Sequence, residues 1–116
     1  MGQLVLENME FYAFHGHYEE ERTIGGRFRV DLEIDTDLST AAETDLLEDA
    51  VDYSKIYELV KAEMEKPSRL LEHLALRIIQ AVYTASDRIT LVKATVSKLN
   101  PAIGGSMEKF SVVLTR

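Results

Sequence analysis

The chain has 116 residues and an ordinary globular composition, with 46% hydrophobic and 28% charged residues. This length is enough for a hydrophobic core that needs no disulfide or metal to stabilise it, so we expect one domain over residues 1–116. The absence of cysteine excludes disulfides and thiol chemistry. A net charge of −7 argues against nucleic-acid binding and mildly against a polyphosphate substrate. No signal peptide or membrane-spanning segment is visible, which predicts a cytoplasmic protein.

The first part of the chain predicts two strands. Residues 4–14 are rich in aliphatic and aromatic side chains and predict a strand that bends near residues 7–8. Residues 17–26 are polar and contain two glycines, so we expect a loop there. Residues 27–38 alternate with period two, which predicts a strand with one wet face. Its inward residues are Phe28, Val30, Leu32 and Ile34.

Two helices are predicted next, after an acidic connection over residues 39–51. The first helix begins near Asp52 or Ser54, either of which can cap it, and ends before Pro67. The second helix covers residues 69–85. The apolar stripes are Ile56, Leu59, Val60 and Met64 on the first helix, and Leu71, Leu74, Ala75, Ile78 and Val82 on the second.

Two further strands, at residues 89–99 and 109–115, complete the order ββααββ. This order predicts an α+β fold in which a four-stranded antiparallel sheet carries both helices on one face. The last strand is apolar and carries only Lys109 as a charged residue. Because exposed sheet edges are usually protected, we expect edges to pair between subunits.

Lys98 is the most informative residue, because it continues the inward parity of Val92, Ala94 and Val96. Asn100-Pro101 then break the strand into a loop. In one interpretation the lysine stem lies on the core and its ammonium group reaches water. In the other, a lysine at the mouth of a loop performs chemistry.

Three other polar residues stand at positions that a structural role alone does not require. Glu72 borders the apolar stripe near a helix start, where it can complement the macrodipole or face a pocket. Tyr53 precedes a helix, where it can act as a hydrophobic staple, stack on a flat ligand or pass a proton. Glu21 belongs to a run of glutamates that is typical of a solvated loop.

The three histidines, His15, His17 and His73, equal the number of ligands that a catalytic zinc site can use. However, Gly16 ends the strand between the first two, and no spaced carboxylate completes a metal pattern. We therefore expect no metal and no cofactor. No nucleophile elbow, phosphate-binding loop or dinucleotide fingerprint is present.

Six short motifs occur in order along nearly the whole chain, at residues 11–16, Glu21-Arg22 with Gly25, Thr44-Asp45, residues 51–53, residues 70–75 and residues 98–103. Their residues and spacing resemble the dihydroneopterin aldolase family. This resemblance implies the tunnelling fold, in which sheet edges join subunits into a barrel. Two tetramer rings commonly stack into an octamer in that family, with sites between subunits.

The resemblance implies that a pterin substrate, 7,8-dihydroneopterin, undergoes retro-aldol cleavage to 6-hydroxymethyl-7,8-dihydropterin and glycolaldehyde in folate biosynthesis. No metal or Schiff base is needed, because the C=N of the pterin takes up the electrons. Epimerisation of the side chain is expected as a side activity.

The resemblance also assigns the site residues. Glu72 would anchor the pterin through two hydrogen bonds, and backbone groups of Leu71, Val51 and His17 would complete the ring contacts. Three residues would be catalytic: Lys98 as the base or as the holder of a water, Tyr53 as a stacking group that helps protonate the intermediate, and Glu21 as the group that orders Lys98. His17 and Tyr18 depart from the smaller or aliphatic residues that often fill their positions.

The nearest alternative is a dihydroneopterin triphosphate epimerase, which should carry basic residues near the side-chain end of the pocket. Residues 99–107 contain neither lysine nor arginine, which favours the aldolase. A zinc-dependent pterin synthase is a further alternative, but the sequence lacks the spaced metal ligands that such an enzyme needs. A non-catalytic pterin-binding or structural protein would tolerate the loss of Lys98.

Overall fold

The computed structural model describes residues 1–101 and 103–116, within which it contains four strands and four α-helices. Ala102, part of the last motif of the resemblance, lies outside the described residues. The strands are β1 (Gly2–Ala13), β2 (Gly26–Thr36), β3 (Ile89–Leu99) and β4 (Lys109–Thr115). The helices are α1 (Glu19–Ile24), α2 (Ser39–Thr44), α3 (Tyr53–Met64) and α4 (Leu71–Tyr83), with a 3₁₀ turn at Leu47–Asp49.

The strands form one antiparallel sheet in the order β1-β2-β3-β4, so β1 and β4 are its edges. This confirms the predicted α+β class and the four-stranded antiparallel sheet. The predicted bend in β1 is a bulge, at which the register with β2 shifts between Leu6 and Met9. Asn8 adopts the left-handed conformation there, with φ of 57°.

The core lies between one face of the sheet and the two longer helices. The alternating inward residues of β2 and β3 are fully buried, as the period-two pattern predicted. Helices α3 and α4 pack against each other and cover this face. Asp52 caps α3 by accepting a hydrogen bond from the Ser54 N–H at 2.9 Å. None of the helices among the described residues is long and apolar enough to cross a membrane.

Two parts of the predicted layout were wrong. Helix α1 occupies the predicted loop and α2 lies within the predicted acidic connection, so the order is βαβαααββ rather than ββααββ. Both helices have six residues and neither contains a buried residue. A helix of one and a half turns without a buried face leaves no apolar periodicity in the sequence, so the pattern could not indicate it.

Candidate active site

Lys98 and Glu21 form an ion pair at the end of the sheet. Lys98 lies on β3 between Phe28 of β2 and Phe110 of β4. Its Nζ contacts Oε2 of Glu21, and the side chains are 19% and 27% exposed, respectively. The inward parity therefore leads Lys98 to a partly buried carboxylate rather than to open water.

Glu21 reaches Lys98 because α1 begins in the turn after His17. Its second oxygen, Oε1, accepts a hydrogen bond from the Tyr18 N–H at 3.3 Å. Gly16 packs directly against Glu21, since a Cβ at position 16 would lie 2.5 Å from the Glu21 Cβ. The carboxylate is thus held by a backbone N–H, an ammonium group and a glycine that leaves room for it.

Opposing effects act on the Glu21 carboxyl. Burial raises its pKa, but the hydrogen bond from Lys98, the backbone N–H of Tyr18 and the Lys98 charge outweigh burial, so the pKa is lowered from its ordinary value. Glu21 is consequently a carboxylate at neutral pH. A fixed negative charge beside Lys98 is the electrostatic feature of this site.

Two cavities adjoin the ion pair. The first has a volume of about 130 Å³. It lies between the β1–β2 connection, the beginning of β2 and the end of β3, and it is lined by His15, Glu21, Gly25, Gly26, Phe28 and Lys98 to Pro101. A second cavity, of about 260 Å³, has a mostly apolar lining. It is formed by Tyr18, Glu21, Lys98, Pro101, Ile103, Met107 and Phe110, so Lys98 is the only lysine or arginine among its described lining residues.

His15 is a site residue whose contribution the sequence pattern did not indicate. It is 1% exposed, and its Nδ1 accepts a hydrogen bond from the Ser68 N–H at 3.0 Å. Burial, together with the charges of Arg77 and Lys98, lowers the pKa of His15 to about 4, although a nearby Met64 carbonyl acts in the opposite direction. The ring is therefore neutral at pH 7.

Three of the four residues expected to contact a ring lie at the beginnings of α3 and α4, and His17 lies in the turn between β1 and α1. Glu72 is exposed at the second position of α4, and Leu71 before it is buried. Val51 is also buried, immediately before the cap of α3. The His17 carbonyl accepts a hydrogen bond from Arg22 at 2.6 Å.

Tyr53 is not brought to Lys98 within one chain. It is the first residue of α3 and is 71% exposed. It lines a separate cavity of about 640 Å³ between α3 and the edge strand β1. The lining residues are Leu4 to Glu7, Met9, Tyr53, Ser54, Tyr57 and Glu58, and none of them lines either cavity at Lys98.

Two of the three histidines contact the same residue, Ser68. His15 is bonded through Nδ1 to the Ser68 backbone, and His73 Nδ1 lies 3.0 Å from the Ser68 hydroxyl. The His17 ring packs edge-on against Tyr18. Over residues 1–101 and 103–116, no three His, Asp or Glu side chains are grouped so that they could hold a metal ion.

Comparisons with known proteins agree with the resemblance. The family model described as "FolB: Dihydroneopterin aldolase" matches residues 4–115. The chain is 37% identical to the dihydroneopterin aldolase of Bacillus subtilis, covering 100% of this chain and 98% of the relative. It is 36% identical to that of Staphylococcus epidermidis, covering 97% and 94%, respectively.

Solved structures share the fold. A dihydroneopterin aldolase from E. coli in complex with neopterin has a TM-score of 0.91 and 24% identity, with 100% of this chain and 99% of that chain covered. A Burkholderia thailendensis structure bound to guanine has a TM-score of 0.79 and 21% identity, with coverage of 99% and 89%. The family model and the sequence relatives show that the chain belongs to the dihydroneopterin aldolase family of carbon–carbon lyases.

Proposed function

We propose that the chain converts 7,8-dihydroneopterin into 6-hydroxymethyl-7,8-dihydropterin and glycolaldehyde by a retro-aldol reaction without a metal or a Schiff base. The observation that carries this proposal is the Glu21–Lys98 ion pair, which borders two cavities at the end of the sheet. The family membership makes such a pair chemically meaningful. In a protein outside this family, the same pair would be an ordinary partly buried salt bridge.

In the first step, a side-chain hydroxyl of the substrate loses its proton and the adjacent C–C bond breaks. The electron pair of that bond enters the C=N of the pterin, and glycolaldehyde leaves. Lys98 acts either as the base or through a water that it holds. Glu21 keeps the lysine Nζ in place for this proton transfer, because the carboxylate is fixed at its other oxygen by Tyr18.

The ring must be oriented for this step. Glu72 would accept two N–H bonds from the amidine edge of the pterin, since its carboxylate is exposed at the beginning of α4. Backbone groups of Leu71, Val51 and His17 would complete the ring contacts. A neopterin complex and a guanine complex among proteins of the same fold support a flat, amidine-bearing ligand.

Tyr53 would stack on the ring and help to protonate the enol-like intermediate at the carbon that lost glycolaldehyde. Its cavity lies beside edge strand β1, whereas Lys98 lies beside edge strand β4. Pairing β1 of one subunit with β4 of the next would bring the two together. We therefore infer a homo-oligomer with shared sites, an octamer of two stacked tetramer rings, whose sheets form the barrel of the tunnelling fold.

The principal test is product analysis after incubation with 7,8-dihydroneopterin, and separately with its triphosphate, with and without a chelator. Glycolaldehyde and 6-hydroxymethyl-7,8-dihydropterin from the unphosphorylated substrate, unaffected by the chelator, are the expected products. A small amount of epimer is expected too, because the intermediate can recombine with glycolaldehyde in another orientation. Epimer formed only from the triphosphate would identify the sister epimerase, and no product from either substrate would leave a pterin-binding role.

The shared site has its own test. Tyr53→Ala and Lys98→Ala would each be inactive alone. Coexpressed in equal amounts, they should regain about a quarter of the wild-type sites, because a site with both native residues forms only when the two variants are neighbours in the correct order. No recovery from a mixture whose assembly is verified would contradict the shared site.

A further inference from the structure

Ser68, in the connection between α3 and α4, uses its N–H, its carbonyl and its hydroxyl in hydrogen bonds. It is 4% exposed. Its N–H donates to His15 Nδ1 at 3.0 Å, and its carbonyl accepts from the Gly16 N–H at 2.9 Å. Its hydroxyl accepts from Arg77 Nη2 at 2.8 Å and lies 3.0 Å from His73 Nδ1. Four contacts on a single serine join three separate segments of the chain.

His15 belongs to this cluster, which consists of Ser68 and the four residues that it contacts, and its ring is held in one tautomer and one position. Because Nδ1 accepts from a backbone N–H, the neutral ring carries its proton on Nε2. The ring packs edge-on against Phe28, with centroids 5.2 Å apart, and is fully buried. His15 also lines the cavity that contains Lys98 and Glu21. Its position is thereby set on one side by the sheet and on the other by Ser68.

On the strand side, the cluster leads to the ion pair. Gly16 follows His15 and packs against Glu21, whose carboxylate contacts Lys98. Arg22 binds the carbonyls of Gly16 and His17 and so closes this turn, at 2.9 and 2.6 Å. The bonds of Ser68 to residues 15 and 16 therefore act on the segment that holds Glu21.

On the helix side, the cluster leads to the beginning of α4. Ser68 precedes Leu71 and Glu72 by only three and four residues. Arg77, one further turn along the helix, binds the Ser68 hydroxyl, the Lys66 carbonyl at 2.7 Å and the Glu63 carboxylate at 2.7 Å. This fixes the α3–α4 connection to the same helix that presents Glu72.

We propose that His15 and Ser68 are positioning residues, which hold the ring-anchoring end of the site at Glu72 in a fixed place relative to the Glu21–Lys98 pair. This inference rests on the proposed function. Gly16 and Arg22 hold the segment of Glu21, and Arg77 holds the α3–α4 connection before Glu72. The bond between His15 and Ser68 joins these two parts and so sets the distance between them. Retro-aldol cleavage depends on that separation, because the ring and the side-chain hydroxyl must be held at the same time.

The test compares His15→Phe, which keeps an aromatic ring but removes the acceptor, with His15→Asn, whose side-chain oxygen can replace Nδ1 as acceptor. Thr36→Val is the matched control, since it removes a buried hydroxyl bond to the Arg88 carbonyl at the far end of β2. We expect His15→Phe to lower kcat by about 10- to 100-fold. Affinity for 6-hydroxymethylpterin, which needs only the ring-anchoring end, should change by less than about threefold.

We expect His15→Asn to recover most of the lost kcat and Thr36→Val to keep wild-type kcat. Should His15→Phe fail to fold, Ser68→Ala provides the second measurement, because it keeps both backbone bonds and loses only those to Arg77 and His73. It should lower kcat several-fold at unchanged ring affinity. Wild-type kcat in His15→Phe or in Ser68→Ala, or an equal loss in His15→Phe and His15→Asn, would overturn this proposal alone. An inactive wild-type protein would overturn the proposed function as well.

Discussion

Glu21 and Lys98 are 77 residues apart in sequence, yet their side chains meet as an ion pair at the end of β3. One partner comes from a six-residue helix without buried residues and the other from the inward face of a central strand. Within this helix, Arg22 also binds the carbonyls of Gly16 and His17, and the Ile24 carbonyl accepts a hydrogen bond from the Tyr12 hydroxyl. The pair therefore joins the segment that follows β1 to the inner strand β3 of the sheet.

Lys98→Ala should lower turnover of 7,8-dihydroneopterin by about 100- to 10,000-fold, the range of a lost acid–base group. Affinity for 6-hydroxymethylpterin should remain close to that of the wild type, because the ring is held elsewhere. Single-turnover kinetics and equilibrium fluorescence titration measure the two quantities. Lys93→Ala is the control, since Lys93 lies on the same strand and pairs with Glu33 at 3.3 Å. Normal turnover in Lys98→Ala would refute its catalytic assignment.

Glu72→Ala should weaken binding of the pterin ring by about 100-fold or more, because two charge-assisted hydrogen bonds are lost. Stability should hardly change, since Glu72 is exposed and lies outside the core. Isothermal titration with 6-hydroxymethylpterin measures the affinity. Glu65→Ala, an exposed carboxylate at the end of α3, should bind as the wild type does. Unchanged affinity in Glu72→Ala would remove this residue as the anchor.

Gly16→Ala should separate Glu21 from Lys98, because the new Cβ would lie 2.5–2.8 Å from three atoms of the glutamate side chain. We expect a loss of about 1–3 kcal/mol in the free energy of unfolding together with a fall in kcat. Gly105→Ala is the control, since no atom lies within 4 Å of a Cβ built there. Urea unfolding and steady-state kinetics provide the comparison. Equal behaviour of the two variants would show that the close packing of Gly16 is dispensable.

Stability should fall in acid in two stages. The pKa of His15 is lowered from 6.5 to about 4 in the folded chain, so its stabilising effect is complete above pH 6.5 and is lost as the pH falls towards 4. The loss is about 3 kcal/mol at most, or some 1.4 kcal/mol per pH unit. For Glu21 and Glu63, burial raises the pKa, but the bonds to Lys98 and to Arg77, respectively, lower it by more than burial raises it. Their contributions to stability are therefore lost only as the pH falls below their ordinary pKa of 4.5.

Urea unfolding across pH 7 to 4 tests this assignment. His15→Asn should flatten the dependence of the unfolding free energy on pH above about 4.5, where the histidine alone acts. Thr36→Val should keep the wild-type slope, since it removes a hydrogen bond but no titrating group. If the slope of His15→Asn equalled that of the wild type, another group would be responsible for the first stage.

The sequence predicted the parts of the fold that have a strong hydrophobic period. The bounds of β3 and β4 agree with the prediction, and the four predicted inward residues of β2 are buried. The inward direction of Lys98 also followed from parity, because the side chains of a strand alternate strictly. The short helices α1 and α2 were missed, since they bury nothing and so leave no periodic pattern.

The candidate site was predictable only in part. Family motifs named Lys98 and Glu21, but the sequence could not show that Gly16 packs against the glutamate, because that contact depends on the path of the turn. Ser68 carries no local signal at all. Its bond to His15 spans 53 residues, and a serine after a proline is ordinary loop composition. Contacts of this kind are set by tertiary structure, which local patterns do not encode.

The separation of Tyr53 from Lys98 on one chain affects how the activity would depend on protein concentration. With the shared sites proposed above, a subunit alone would hold half of each of two sites, so specific activity should fall at dilutions where the assembly dissociates. Substitutions at exposed edge residues such as Val5 on β1 or Val113 on β4 could then abolish turnover without touching the substrate. Selection for catalysis would act on the surfaces that bring subunits together as strongly as on the residues that move protons.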